Sequence, residues 1–233
     1  MADLPALDAV IISHDHFDHL DMGSIKALAG KVPFFTPLGV GQHLEYWGVP
    51  ADQITELDWW QSIKLDDLEL HCTPSRHFSG RSLLGRNATQ WASWSLISPT
   101  RRLFFSGDTG MFPGFSEIGE RLGPFDVTLL EVGAYDAAWA DVHLGPEQAV
   151  AAHKLLRGAL MMPVHWGTFN LAVHAWTEPA ERLIAAADKE GVTVRIPRPG
   201  GQIDVADPGE LDRWWPDIPW ETAEQHPVVS SGL

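Results

Sequence analysis

Residues 10–21 read VIISHDHFDHLD, and this stretch decides the fold. An apolar run, Val10-Ile11-Ile12, leads into His14, Asp15, His16, Asp18, His19 and Asp21. A short apolar run of this kind reads as a buried strand, so the ionisable groups fall at its buried end. Without a partner they would be costly there, because each loses hydration and like charges repel. A bound cation removes the conflict. His14 and His16 are two apart, so in extended backbone both rings point to one side and can reach one ion. Asp18 and His19 follow a turn later and can face a second ion nearby. Imidazole and carboxylate are donors that zinc takes at about 2.0–2.2 Å.

A site of this kind needs further ligands, and similar clusters recur. RLFFSGDTG (102–110) presents Asp108 after an apolar run. LMMPVHWGTF (160–169) presents His165, and TPSRHFSGR (73–81) presents His77. Any one of these reads equally well as a polar loop residue. Their recurrence at four strand ends points to one site, because layered α/β proteins carry their sites in such loops.

Around these clusters the chain alternates strand-like and helical patterns. Strands are expected at 8–12, 32–36, 91–97, 102–105, 126–130, 161–164 and 192–196. Between 54 and 73 the segments ITELDWW, SIKL and LELHC read as short antiparallel strands, with Asp66-Asp67 at a turn. Helices are expected at 21–29, 41–47, 145–157 and 178–189, the third with Pro146 in its first turn. The Trp- and Pro-rich tail after Pro208 is expected to pack on the surface. There is no internal repeat and no flexible linker, and sheets covered by helices are the expected layering.

The composition bounds the remaining classes. A chain of 233 residues, 45% hydrophobic, fits one large domain. Its single cysteine, Cys72, excludes an internal disulfide. A formal net charge of -15 argues against nucleic acid and against a polybasic membrane patch, though not against a lipid held in an apolar groove. No stretch approaches the roughly 18 apolar residues of a membrane-spanning helix. MADLPALDAV lacks the features of a signal peptide, which makes the cytoplasm the expected compartment. The 11 tryptophans read either as core or as the lining of an aromatic cleft, with Trp91, Trp94 and Trp166 the candidates for the latter.

Taken together, His14-Asp15-His16-Phe17-Asp18-His19, His77, Asp108 in SGDTG and His165 in HWGTF resemble the metallo-β-lactamase superfamily. SRHFSGR, WASWSLI, FFSGDTG, VHLGPEQAV and VHWGTF are most similar to its N-acyl-phosphatidylethanolamine-hydrolysing phospholipase D branch. The resemblance runs from about residue 5 to 200. It implies an α/β fold, an αββα sandwich, and two zinc ions, with iron or manganese as alternatives. It further implies that His14, His16 and His77 bind the first ion, that Asp18, His19 and His165 bind the second, and that Asp108 bridges them. Two ions about 3.5–4 Å apart would share a hydroxide and stabilise attacking and leaving oxygens.

The same resemblance turns His143, in DVHLGPEQAV, toward the site, where it could bind a phosphate oxygen or assist the leaving group. Catalysis would then rest on Asp18, Asp108 and His143. Asp15 and Asp21 read as supporting or surface groups. His43, His71, His153, His174 and His226 read as structural, and Cys72 as a buried filler. The family carries strands ahead of its histidine-rich motif, so the expected fold is the sandwich without the first strands of its N-terminal half. The expected function is hydrolysis of a phosphodiester in a small-molecule or lipid-like substrate. A lactone, amide or carboxylic ester hydrolase and a non-catalytic metal-binding remnant stand as alternatives, and a homo-oligomer is left open.

Overall fold

The computed structural model describes residues 4–82 and 85–231; Met1, on which the reading of the chain's start rests, lies outside them. Two sheets pack face to face. The smaller is parallel, in the order β1 (Val10–Ile11), β2 (Phe34–Pro37), β3 (Ile54–Leu57). The larger has seven strands. Their order is β10 (Thr193–Val194), β9 (Gly158–Val164), β8 (Phe125–Glu131), β7 (Arg102–Phe105), β6 (Ser93–Ile97), β5 (Leu68–Thr73) and β4 (Ser62–Leu65). It is antiparallel from β4 to β7 and parallel from β7 to β10.

Side-chain alternation along the strands builds the layers. Phe35 and Leu57 of the small sheet meet Leu70, Cys72 and Trp94 of the large one, forming the core between sheets. Phe34, one residue from Phe35, faces the other way and packs with Ile25 and Leu44 of α1 (Met22–Leu28) and α2 (Gly41–Tyr46). Phe104, Leu130 and Met161 face α3 (Gly114–Leu122), α4 (Pro146–Leu155) and α5 (Glu178–Glu190). The molecule is therefore an α/β sandwich of helix, sheet, sheet and helix layers. No helix among the described residues is long and apolar enough to cross a membrane.

Several expectations need correction. The segment at 54–60 does not pair antiparallel with its successors. β3 lies parallel to β2, and residues 58–61 carry the chain across to the other sheet, with Trp60 in the left-handed region (φ 71°). Only β4 and β5 form the expected hairpin, turning at Asp66-Asp67. Helix α3 was not expected at all. The tail is not merely a surface layer, because Trp215 is buried in the main core and donates to Glu181 Oε1 at 2.7 Å. Trp94 is fully buried and donates to Ile12 O at 3.0 Å, so it is core rather than cleft.

His153 on α4 lies under β8, with its Nδ1 2.7 Å from Thr128 Oγ1. Burial pushes its pKa down to about 4. The unfolded chain, at about 6.5, therefore takes up a proton first on acidification, and stability present above that pH is lost between about 6.5 and 4. Replacing His153 with Leu should flatten the dependence of the urea midpoint on pH across that window. An unchanged slope would show that the proton uptake lies elsewhere.

Candidate metal centre

Each candidate ligand stands just beyond a strand end. His14, His16, Asp18 and His19 follow β1; His77 follows β5; Asp108 follows β7; His165 follows β9. Both sheets thus deliver their polar ends to one rim of the sandwich. The approach is close: a Cβ on Gly107 would lie 2.6 Å from Ser13 Cβ, and Gly107 has φ +55°. Only glycine allows Asp108 to come that near the histidine-rich loop. His165 itself has φ 62°, a conformation that costs a non-glycine residue about 1–3 kcal/mol and is held by its surroundings.

All seven candidate ligands converge. His14, His16, His77 and Asp108 form one set of donors, and Asp18, His19, Asp108 and His165 form another, each within 4.8 Å. His14 Nε2 lies 2.9 Å from His16 Nδ1, which lies 3.2 Å from His77 Nε2. Asp108 Oδ2 stands between the sets, 3.1 Å from His19 Nε2, 3.7 Å from His77 Nε2 and 3.8 Å from His14 Nε2. His165 Nε2 faces Asp18 Oδ2 at 3.3 Å and Asp108 Oδ1 at 3.4 Å.

The supporting contacts aim these atoms. His77 Nδ1 donates to Val142 O at 2.9 Å, which leaves Nε2 with its lone pair free. Ser13 Oγ lies 3.0 Å from His14 Nδ1. Asp15 is buried behind the loop, accepting from Gly80 N at 2.7 Å and facing His43 Nε2 at 3.3 Å. Arg81 donates to the carbonyls of Asp15 and Leu20, each at 2.8 Å, and so pins both ends of the histidine-rich turn. Asp21 instead caps α1, accepting from Ser24 N at 2.7 Å.

The electrostatics divide the two sets. Burial pushes the pKa values of His14, His16 and His77 down, His77 to about 3, so these rings are neutral with lone pairs available. Burial also opposes charge on His19 and His165, but contacts with Asp108 and Asp18 outweigh it and hold them at about 10 and about 9. Asp108 stays well below the usual carboxylate range: burial favours its neutral acid, and His19 and His165 reverse that.

These residues fit a pair of cations. Among the described residues, His19 Nε2 and Asp108 Oδ1 are buried without a partner of hydrogen-bonding geometry. Three neutral imidazoles turn nitrogen toward nitrogen at hydrogen-bond distance. A cation satisfies acceptors arranged in this way, whereas another side chain does not.

His143 joins the cluster, its ring centroid 5.1 Å from that of His77 and 5.6 Å from that of His165. Two residues that sequence reasoning passed over also belong here. Glu131, at the end of β8, accepts from His143 Nδ1 at 2.8 Å. His174, read as structural, accepts from Ala134 N at 3.1 Å and lines a cavity of about 390 Å³. That cavity opens beside Asp18 and His165, and Trp166, Phe169, Leu171 and Trp176 supply its apolar wall. Trp91 is held elsewhere, donating to Ser75 O at 2.9 Å.

Comparison with known proteins gives the family. The profile of the β-lactamase superfamily domain matches residues 1–166. An uncharacterised protein of Mycobacterium tuberculosis is 54% identical over 220 residues, covering 92% of this chain and 59% of its own length. N-acyl-phosphatidylethanolamine-hydrolysing phospholipase D 1 of Caenorhabditis elegans is 36% identical over 197 residues, 78% of this chain and 55% of its own. The chain thus spans less than two thirds of the length of these relatives. Among solved structures, the metallo hydrolase Igni18 of Ignicoccus hospitalis is 27% identical, with a TM-score of 0.65 over 84% of this chain and 78% of its own. Fold and profile agree: the chain is a member of the metallo-β-lactamase superfamily, similar to its N-acyl-phosphatidylethanolamine phospholipase D branch.

Proposed function

We propose that residues 1–233 form one domain of a dinuclear zinc-dependent hydrolase that cleaves a phosphodiester in the manner of a phospholipase D. The observation that carries this reading is the buried Asp108 carboxylate, set between two groups of imidazoles. His14, His16 and His77 would hold one ion, Asp18, His19 and His165 the other, and Asp108 both. When bound, two such ions supply Lewis-acid chemistry, lowering the pKa of water and stabilising the attacking and leaving oxygens of an in-line displacement.

The chain's own residues supply the rest. Asp18, at the mouth of the cavity, orients the attacking water as well as serving as a ligand. His143, its Nδ1 held by Glu131, keeps Nε2 for a proton at the leaving oxygen. Trp166, Phe169, Leu171 and Trp176 offer an apolar wall to an acyl chain and exclude water from the reacting bond. The phosphodiester is supported by the name of the nematode relative and by this wall beside the donors.

Stripped protein reloaded with zinc should hold two ions per chain by elemental analysis, because seven donors exceed what one tetrahedral ion takes. A matched panel of phosphodiesters, lactones and carboxylic esters tests the bond. Turnover confined to phosphodiesters, with lower KM for longer chains, is expected. Faster turnover of a lactone or ester would assign the other chemistry, and two bound ions with no turnover on any substrate would leave a metal-binding protein without this activity. Iron or manganese in the same positions would change the ion and not the donor set.

A further inference from the structure

We infer that Glu131 is a shared positioning residue, one buried carboxylate that orients both His143 and His165 toward the metal centre. The inference rests on the dinuclear reading above. Glu131 lies in none of the motifs that drew attention to the site, yet its side chain is fully buried where three functional segments meet. Its Oε1 accepts from the backbone N–H of Thr109, next to Asp108, and from that of Leu144, next to His143, at 3.4 Å. Its Oε2 accepts from His143 Nδ1 at 2.8 Å and faces His165 Nδ1 at 3.7 Å, beyond hydrogen-bond distance; that nitrogen is buried and has no hydrogen-bond partner among the described residues, so Glu131 acts on it as the charge it faces.

The two rings are stacked, with an interplanar angle of 11°, and each turns its Nδ1 edge toward the same oxygen. A proton on His165 Nδ1, on the side of Glu131, leaves His165 Nε2 with its lone pair, while the bond from His143 Nδ1 to Glu131 turns His143 Nε2 away from Glu131 and frees it to carry the proton for the leaving oxygen. For His165 that atom is the one facing Asp18 and Asp108. Carboxylates behind metal-binding histidines commonly fix tautomer and ring orientation one ring at a time. Here a single carboxylate, anchored by two backbone amides, would serve a ligand and a proton-transfer group together.

Glu131→Gln discriminates this role from packing. The amide keeps the volume and still offers an oxygen to Thr109 N–H. Its NH2 then faces both Nδ1 atoms, and each ring can accept from it only by moving its proton to Nε2. That change blocks the His165 lone pair and inverts His143. Titration of stripped protein with cobalt(II) or zinc should show the second ion bound roughly 10–100-fold more weakly, with the first little changed. kcat should fall while KM moves little, because the substrate wall is untouched. E131D retains the charge but retreats by one methylene, and its second-ion affinity should fall between wild type and E131Q. In a His143→Ala background, E131Q should still weaken the second ion, through His165, but should lower kcat less than in wild type.

Wild type and E131Q binding two ions with equal affinity would overturn the inference while leaving the dinuclear reading intact. If E131Q fails to fold, E131D carries the test, and wild-type affinity for the second ion in E131D overturns the inference. Wild type that takes up only one ion removes the dinuclear reading itself, and this inference with it, a result visible before any variant is made.

Discussion

Asp108→Asn should leave a folded protein with no measurable turnover and markedly weakened metal retention. Asparagine has nearly the same size, so the buried site beside Gly107 can accept it. What it lacks is the charge. Among the described residues, Asp108 is the one carboxylate that belongs to both donor sets, and it sits close to four imidazoles, those of His14, His19, His77 and His165. An amide offers a single neutral oxygen to two cations that repel each other. The loss in kcat/KM should be at least roughly 10³-fold, above what removal of one neutral stabilising donor costs. Elemental analysis alongside the assay checks it. Retention of two ions with near-normal turnover would show that Asp108 does not bridge.

His143→Ala should behave differently. Both ions should stay bound, because His143 lies outside the seven-donor set, and kcat should fall by roughly 10²-fold or more if the ring moves a proton to the leaving oxygen. His143 touches the cluster through Glu131 and by ring contacts with His77 and His165. One of its nitrogens also lies within 4.8 Å of donor atoms of Asp108, Glu131 and His165, so metal content, measured beside kcat, separates a ligand from a proton carrier. A loss of metal matching that of Asp108→Asn would make His143 a ligand. Full activity with full metal would return it to a packing role at the entry of α4.

The candidate site was legible because its chemistry is local in sequence. His14-x-His16 in extended backbone, followed by Asp18-His19 after a turn, states its geometry in six residues, and strand ends are easy to find when the strand is as apolar as RLFF (102–105). Glu131 was not legible for the opposite reason. A glutamate ending a buried strand has no spacing signature, and its use depends on segments near 109, 144 and 165 meeting in space. The one available signal was a charged residue closing the apolar run DVTLL.

Helix α3 was hidden in a similar way. Its sequence, GFSEIGERL, opens on Gly114 and carries Gly119 in its interior, where glycine costs a helix about 1 kcal/mol relative to alanine. A Cβ on Gly119 would lie 2.2 Å from Leu155 O at the end of α4, so tertiary packing demands the residue that local propensity disfavours. The parallel placement of β3 was equally non-local. An apolar pattern specifies a strand but not which sheet receives it, and here the crossing at 58–61 decides.

The division of the donors between the two sheets has a mechanical consequence. His14, His16, Asp18 and His19 hang from the three-stranded sheet, and His77, Asp108 and His165 from the seven-stranded one. On the proposed ligand set, each ion is therefore a rivet through the sandwich, joining layers that otherwise adhere by apolar contact and a few hydrogen bonds such as those from Trp94 Nε1 to Ile12 O and from Ala92 N to Ser13 O. Such a rivet exists only in the folded chain, so its binding energy adds to the melting free energy: about 4 kcal/mol when free zinc stands at 1,000 times its dissociation constant. Cellular zinc supply would then govern how long the molecule survives as well as whether it works.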